Sequence, residues 1–388
     1  MTPVAITGLG VVSALGTGVA PFWEGLVAGR SGVAPIARFP VPAGTLGAEV
    51  PVLDARTFVR SPVGRRIDRL SLLALAACRL ALVDAGLGPE AIDPTRTGLG
   101  IGTALGNLSE TGPFLERVHA GRSANPLVFP NMVMNAALSY ASIELGVTGP
   151  SALLTEQEAS GEAAIAWGAQ LVASGAVDVC LAGAADELAP LRHQVLHEAG
   201  LLPRTPGRPF DPAADGAVPG EGAAVLVLES LAHARARGVR VYARLAPHPG
   251  FGVPAPVHGW PRDPAPIADG LRALAADVDA VVAAASGTPE VDGVEAAALV
   301  RAFAGRAVAV TAPRGAIGDF GAAGALGVAT AALMVAHGVV PPTVGATVAP
   351  PGLDVVVGSA RRLSVRTVLV NGLARGGACR PLRVAAVA

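Results

Sequence analysis

The chain contains no lysine. All 29 of its basic residues are arginine, which excludes Schiff-base catalysis and any phosphate loop built on a lysine. Cysteine is also scarce. Cys78, Cys180 and Cys379 are odd in number and far apart, which argues against a disulfide framework or a zinc cluster and fits reduced thiols in a cytoplasmic protein. No run of about 18 apolar residues escapes interruption by Gly, Pro or a charge, so no membrane span is expected. The opening Met1-Thr2-Pro3-Val4-Ala5-Ile6 has no basic segment ahead of its apolar residues, and no signal peptide is expected. With 15% charged residues and a formal net charge of −1, nothing in the electrostatics asks for nucleic acid or an anionic membrane as partner.

What the chain has is core-forming material. Its 388 residues are 51% hydrophobic, enough for two lobes or one large α/β assembly. Short β-type runs alternate with Ala/Leu-rich helical stretches, the pattern of parallel α/β layers. Strands are expected at 4–8, 98–103, 151–155, 177–182 and 223–229, with helices at 69–85, 136–145 and 161–174. After about residue 230 the pattern recurs: strands at 240–243, 280–284, 307–310, 364–370 and 382–386, helices at 267–276, 294–303 and 322–337. Two successive halves, 1–230 and 231–388, therefore suggest an internally duplicated fold. Residues 247–263 are rich in Pro and Gly and read as a surface loop.

Three segments stand out as motifs. The first is Gly149-Pro150-Ser151, six residues, then Glu158-Ala159-Ser160-Gly161 and Ala164-Ile165. The second is Arg208-Pro209-Phe210-Asp211 followed by Asp215-Gly216-Ala217-Val218-Pro219-Gly220-Glu221-Gly222. The third is the glycine-rich Ile6-Thr7-Gly8-Leu9-Gly10 opening. Together they resemble the β-ketoacyl synthase family over nearly the whole chain. The resemblance implies an α/β thiolase-like fold, two duplicated βαβαβ-type halves forming a five-layer α-β-α-β-α sandwich, with no cofactor and no metal.

The family's chemistry needs a cysteine thiolate at a helix N-terminus and two histidines that support decarboxylation and stabilise the enolate. In this chain the cysteine position is Glu158. The first histidine falls on Ala284, within Ala284-Ala285-Ser286-Gly287-Thr288-Pro289, with Asp292 and Glu295 in register. The second falls on Asp319, after Arg314-Gly315-Ala316-Ile317-Gly318, where the family lysine is Arg314. The family's gating Phe is Arg375, in Asn371-Gly372-Leu373-Ala374-Arg375-Gly376-Gly377. A carboxylate cannot form the acyl thioester, so the chain looks like an enzyme scaffold without its nucleophile. Burying Glu158 alone would be costly, so Arg375 is expected to neutralise it; the alternative leaves Arg375 in solvent and Glu158 capped by backbone amides.

Within the family, loss of the cysteine resembles the chain-length-factor branch of type II polyketide ketosynthases. That resemblance implies a ketosynthase α-subunit as heterodimer partner, an acyl carrier protein as second partner, strand 151–155 pairing across the two-fold axis, and a tunnel floor at Leu108, Thr111, Leu115 and Val128. Ordinary core packing is the alternative for each of those four. Residual malonyl-carrier decarboxylation, hydrolysis by Glu158 and Asp319 as an acid/base pair, and a structural homodimer or carrier-docking protein remain competing functions. His193 and His197, four apart beside Glu198, lack a third metal ligand and read as helix surface. Asn107-Leu108-Ser109 matches a glycosylation sequon without a secretion signal to make it relevant.

Overall fold

The computed structural model describes residues 2–62, 66–88, 91–246 and 248–387. Ten strands carry the architecture: β1 (Val4–Ser13), β2 (Thr97–Gly102), β3 (Ser151–Leu154), β4 (Val179–Asp186), β5 (Gly222–Ser230), β6 (Ala243–Ala246), β7 (Ala280–Val282), β8 (Ala309–Thr311), β9 (Thr367–Val370) and β10 (Leu382–Ala385). The first five run β1-β5-β4-β2-β3 across the sheet; the second five run β6-β10-β9-β7-β8. The two orders are identical, and so are the senses. The outer strands β2, β3 and β4 pair parallel, as do β7, β8 and β9, whereas β5 and β10 run antiparallel to both neighbours. β1 pairs antiparallel with β6 and joins the halves into one sheet. The duplication that sequence self-similarity carries weakly is explicit in this topology.

Period-two alternation divides the core into three. On β4, Val179 and Leu181 face one side while Cys180, Ala182 and Ala184 face the other; on β7, Val281 opposes Ala280 and Val282. The inner faces of both halves enclose two central helices, α4 (Ser160–Ala173) and α8 (Ala323–His337). α1 (Arg69–Asp84) and α3 (Ala136–Leu145) cover the outer face of the first half, and α6 (Pro264–Arg272) and α7 (Pro289–Ala302) that of the second. Helix, sheet, helix, sheet, helix gives the five layers. Close approach needs glycine at defined points. A Cβ on Gly10 would collide with the Ala77 carbonyl of α1, and one on Gly161 would lie 2.6 Å from the Ala325 amide, so these residues set the α1–β1 and α4–α8 spacing.

Several elements differ from the sequence reading. The strand expected at 240–243 begins instead at Ala243: the Tyr242 amide donates to the Ile6 carbonyl of β1 (2.9 Å), the paired register starts at Ala243, and the Arg240 and Tyr242 side chains turn to Asp84 at the end of α1 (2.8 and 2.9 Å). α6 begins three residues early, at Pro264, with the Asp263 carboxylate accepting from the Ala265 amide. Several helices were not anticipated, among them Val19–Val27, α2 (Leu108–His119), α5 (Pro190–Glu198) and Leu231–Arg237. Within the expected loop, Pro247 lies outside the described residues, and Phe251–Gly252 forms a short strand with Ala378–Cys379.

Candidate active-site remnant

α4 begins immediately after a one-turn 3-10 segment, Gln157–Ala159, which brings Glu158 into the interior. Its side chain is 8% exposed. Arg375 meets it with two donors: Nε to Oε1 at 2.8 Å and the backbone amide to Oε2 at 3.1 Å. The guanidinium also lies over the Trp260 ring, 5.5 Å from its centroid, and the Gly376 amide donates to the Gly259 carbonyl at 2.9 Å. The segment expected to be a surface loop therefore braces Arg375, and Trp260 is a site residue that the sequence reading did not single out.

The other two positions that the sequence reading matched to the family's histidines lie close by. Arg314 is buried; its Nη1 donates to Asp319 Oδ1 at 2.8 Å and its Nη2 to the Glu158 carbonyl at 3.4 Å. Asp319 is also fixed through its backbone, which accepts from Arg192 (3.1 Å) and donates to the Val218 carbonyl (2.7 Å). Ala284 is buried at the end of β7, and its amide donates to Glu295 Oε1 at 2.8 Å, the oxygen that also accepts from Asn371 Nδ2 at 2.6 Å. A void of about 10 Å³ lies beside it, lined by Glu162, Arg314 and Asn371 among others.

The retained motifs have structural employment. Asp292 accepts from the amides of Ser286, Gly287 and Phe210 at 2.9–3.0 Å, tying the Ser-Gly-Thr-Pro turn to the Arg-Pro-Phe-Asp turn, where Phe210 takes φ +64°. Burial pushes its carboxyl up to about 6. Glu221, of Gly-Glu-Gly, is wholly buried and accepts from the amides of Val50 and Leu188 and from Arg38 and Arg69. These carboxylates hold the loops together through backbone amides and arginines, without involving the side chain at position 158.

Glu162 and Glu187 are among the buried acidic groups that the sequence reading did not single out. Glu162 sits one turn beyond Glu158, is almost wholly buried, and its Oε2 has no hydrogen-bond partner among the described residues. Burial pushes its carboxyl up to about 7, and it does the same for Glu295. Glu187 is buried too and accepts from the Ser109 amide and hydroxyl, both at 2.8 Å, at the start of α2.

A cavity of about 360 Å³ opens beside Glu158 and Arg375, walled by Leu105, Leu108, Leu191, Val195 and Leu196. Of the four residues matched to the tunnel floor, Leu108 faces this cavity. Thr111, Leu115 and Val128 do not line it: the Thr111 hydroxyl donates to the Asn107 carbonyl (2.6 Å), Leu115 is 54% exposed, and Val128 closes the short 3-10 turn Pro126–Val128. The sequon residue Asn107 is a buried N-cap of α2, its side chain accepting from the Glu110 amide. Asn-x-x-Glu at that point was the available signal for α2. His193 is buried with its ring at the edge of Phe39 and stacked on His197, which corrects its reading as helix surface, whereas His197 is exposed as that reading has it. No group of three or more His, Cys, Asp or Glu side chains among the described residues could hold a metal ion.

Comparison with known proteins agrees with this geometry. The β-ketoacyl synthase N-terminal domain matches residues 1–234 and the C-terminal domain matches residues 268–347. The tetracenomycin polyketide synthase ketoacyl synthase beta subunit of Streptomyces glaucescens is 38% identical, covering 97% of this chain and 96% of that one. The actinorhodin polyketide putative beta-ketoacyl synthase 2 of Streptomyces coelicolor is 34% identical over 96% and 95%. Among solved structures, the ishigamide ketosynthase/chain length factor superposes with a TM-score of 0.90 at 31% identity over the full length of both chains. The chain belongs to the β-ketoacyl synthase family, and its fold is the thiolase-like fold of that family.

Proposed function

We propose that this chain is the non-catalytic subunit of a type II polyketide ketosynthase, pairing with a cysteine-bearing ketosynthase and setting polyketide length by shaping a tunnel at their shared interface. The observation that carries the reading is Glu158 in the nucleophile position, held by Arg375, with Ala284 and Asp319 where imidazoles would act. None of the three cysteines can substitute: each is buried, and burial pushes each thiol up to about 12. The similarity to a polyketide ketoacyl synthase beta subunit and to a chain length factor supports the same role.

A partner-facing surface is available. β3 is the last strand of the sheet at its edge, with open backbone groups on its outer side. Near it in sequence are exposed apolar side chains on and around α2 and α3: Leu115, Val118, Leu127, Phe129, Val133 and Ile143. Exposed apolar side chains of this kind are what a partner surface would cover. We place the division between the halves at 230/231, where β5 gives way to the short helix Leu231–Arg237. Hydrolysis by Glu158 and Asp319 is disfavoured, because each carboxylate is already ion-paired to an arginine.

The deciding experiment is reconstitution. The chain alone, given malonyl-loaded carrier protein, should release no carbon dioxide and form no acyl adduct. Together with a cysteine-bearing ketosynthase α-subunit, it should give a discrete polyketide. Turnover by the isolated chain would sink the proposal.

A further inference from the structure

The turn that replaces the nucleophile is gripped twice by one loop of the opposite half. Glu158 is held by Arg375, and two residues earlier Glu156 is held by Arg380, whose Nε and Nη2 reach its two carboxylate oxygens at 2.6 Å each. Between them Gln157 takes φ +52°, a left-handed conformation that a residue with a Cβ adopts at a cost. The loop supplying both arginines is itself anchored. The Asn371 amide donates to the Val282 carbonyl, the Arg380 amide to Gly372, and Phe251–Gly252 pairs with Ala378–Cys379. On the other side, the gripped turn is continuous with β3, which ends at Leu154.

We infer that Glu156–Arg380 and Glu158–Arg375 form a double latch that fixes the end of β3 in the orientation required for partner pairing. The degenerate centre thus serves as the buttress of the interface edge. This rests on the heterodimer reading given above. The geometry is specific. β3 is four residues long and bonded on one side only, to β2, so its C-terminal end has no sheet neighbour to hold it beyond Leu154. The Ser160 hydroxyl ties the turn locally, accepting from the Glu156 amide (2.9 Å) and donating to the Gln157 carbonyl (2.7 Å), and two arginines from the same anchored loop, one on each side of the strained residue, tie it to the opposite half. Glu156 and Arg380 are positioning residues, since neither lines the cavity beside Glu158.

The test uses the full chain, alone and co-expressed with its cysteine-bearing ketosynthase. Glu156→Arg and Arg380→Glu should each weaken the complex about tenfold, and the two together, restoring the pair in reverse, should recover affinity to within about threefold. Glu156→Gln, which keeps the size and shape of the side chain, should speed amide exchange of residues 151–158 in the isolated chain while leaving β4 and β5 protected. Wild-type affinity in both single variants, failure of the reversed pair to recover in a folded chain, or unchanged exchange in Glu156→Gln would each overturn the latch. If the wild-type chain does not associate at all, the heterodimer reading falls with it, and the exchange measurement alone decides whether the latch orders the strand end.

Discussion

Arg375 reaches Glu158 through main chain and side chain at once, so one residue supplies both a directed amide and a compensating charge. Removing it as Arg375→Ala leaves a nearly buried carboxylate without its ion-pair partner. Breaking a fully buried pair costs more, but the Arg375 side chain is 39% exposed and solvent screens part of the loss. A destabilisation of about 2 kcal/mol is expected in urea unfolding. Glu158→Gln, which removes the charge and keeps the shape, should cost less. Equal losses in the two variants would show that charge neutralisation is not the issue.

Restoring the thiol alone should restore nothing. Glu158→Cys places a sulfur at the right helix end, but Ala284 and Asp319 supply no imidazole for decarboxylation. Condensation by that variant should stay at background, measured as carbon dioxide release from malonyl-loaded carrier.

Glu162 makes stability depend on pH. Its folded carboxyl titrates near 7, above the unfolded value, so the folded state holds the extra proton between roughly pH 4.5 and 7. The stabilisation is complete below that window and is lost as pH rises through it. Glu162→Gln has no such loss, so its advantage over the wild type should grow from pH 5 to pH 8 and reach on the order of 2 kcal/mol. A constant difference across the range would contradict a buried proton at this position.

The cavity wall gives a product readout. In the reconstituted complex, Leu108→Trp should shorten the dominant polyketide and Leu108→Ala lengthen it, read by mass spectrometry. By contrast Phe129→Ser and Ile143→Ser, on the exposed apolar face, should weaken assembly by about tenfold and make the lone chain more soluble.

Glu187 fixes the mouth of α2. Glu187→Ala removes both acceptors for Ser109, and the loss should appear as about 1–2 kcal/mol of stability together with faster amide exchange over residues 107–111. Exchange confined to wild-type rates there would mean that the Asn107 cap suffices.

The layered fold was legible because strand alternation and Ala-rich helices are local signals; α3 was read to the residue. The match of Glu158 to the family's cysteine position rests on Gly149-Pro150-Ser151, which needs no gap, while the match of Asp319 crosses a one-residue deletion before Gly321-Ala322-Ala323-Gly324. α2 was missed since Pro113 sits inside it and Thr, Gly and Glu dilute its apolar stripe. Glu162 could not be read, because a glutamate in a helix is ordinarily solvated. Only the approach of Gly324 and Gly372, which leave room for its carboxylate, reveals it as interior. Trp260 and the Glu156–Arg380 pair join segments more than a hundred residues apart, and no local pattern encodes such meetings.

The seclusion of Cys78, Cys180 and Cys379 has a practical corollary. A sulfhydryl-seeking electrophile attacks the anionic form, which these three hardly populate at neutral pH. In a two-subunit assembly such a reagent would mark the companion's nucleophile and pass this polypeptide by, so the stoichiometry of labelling reads out directly how many working centres the assembly contains.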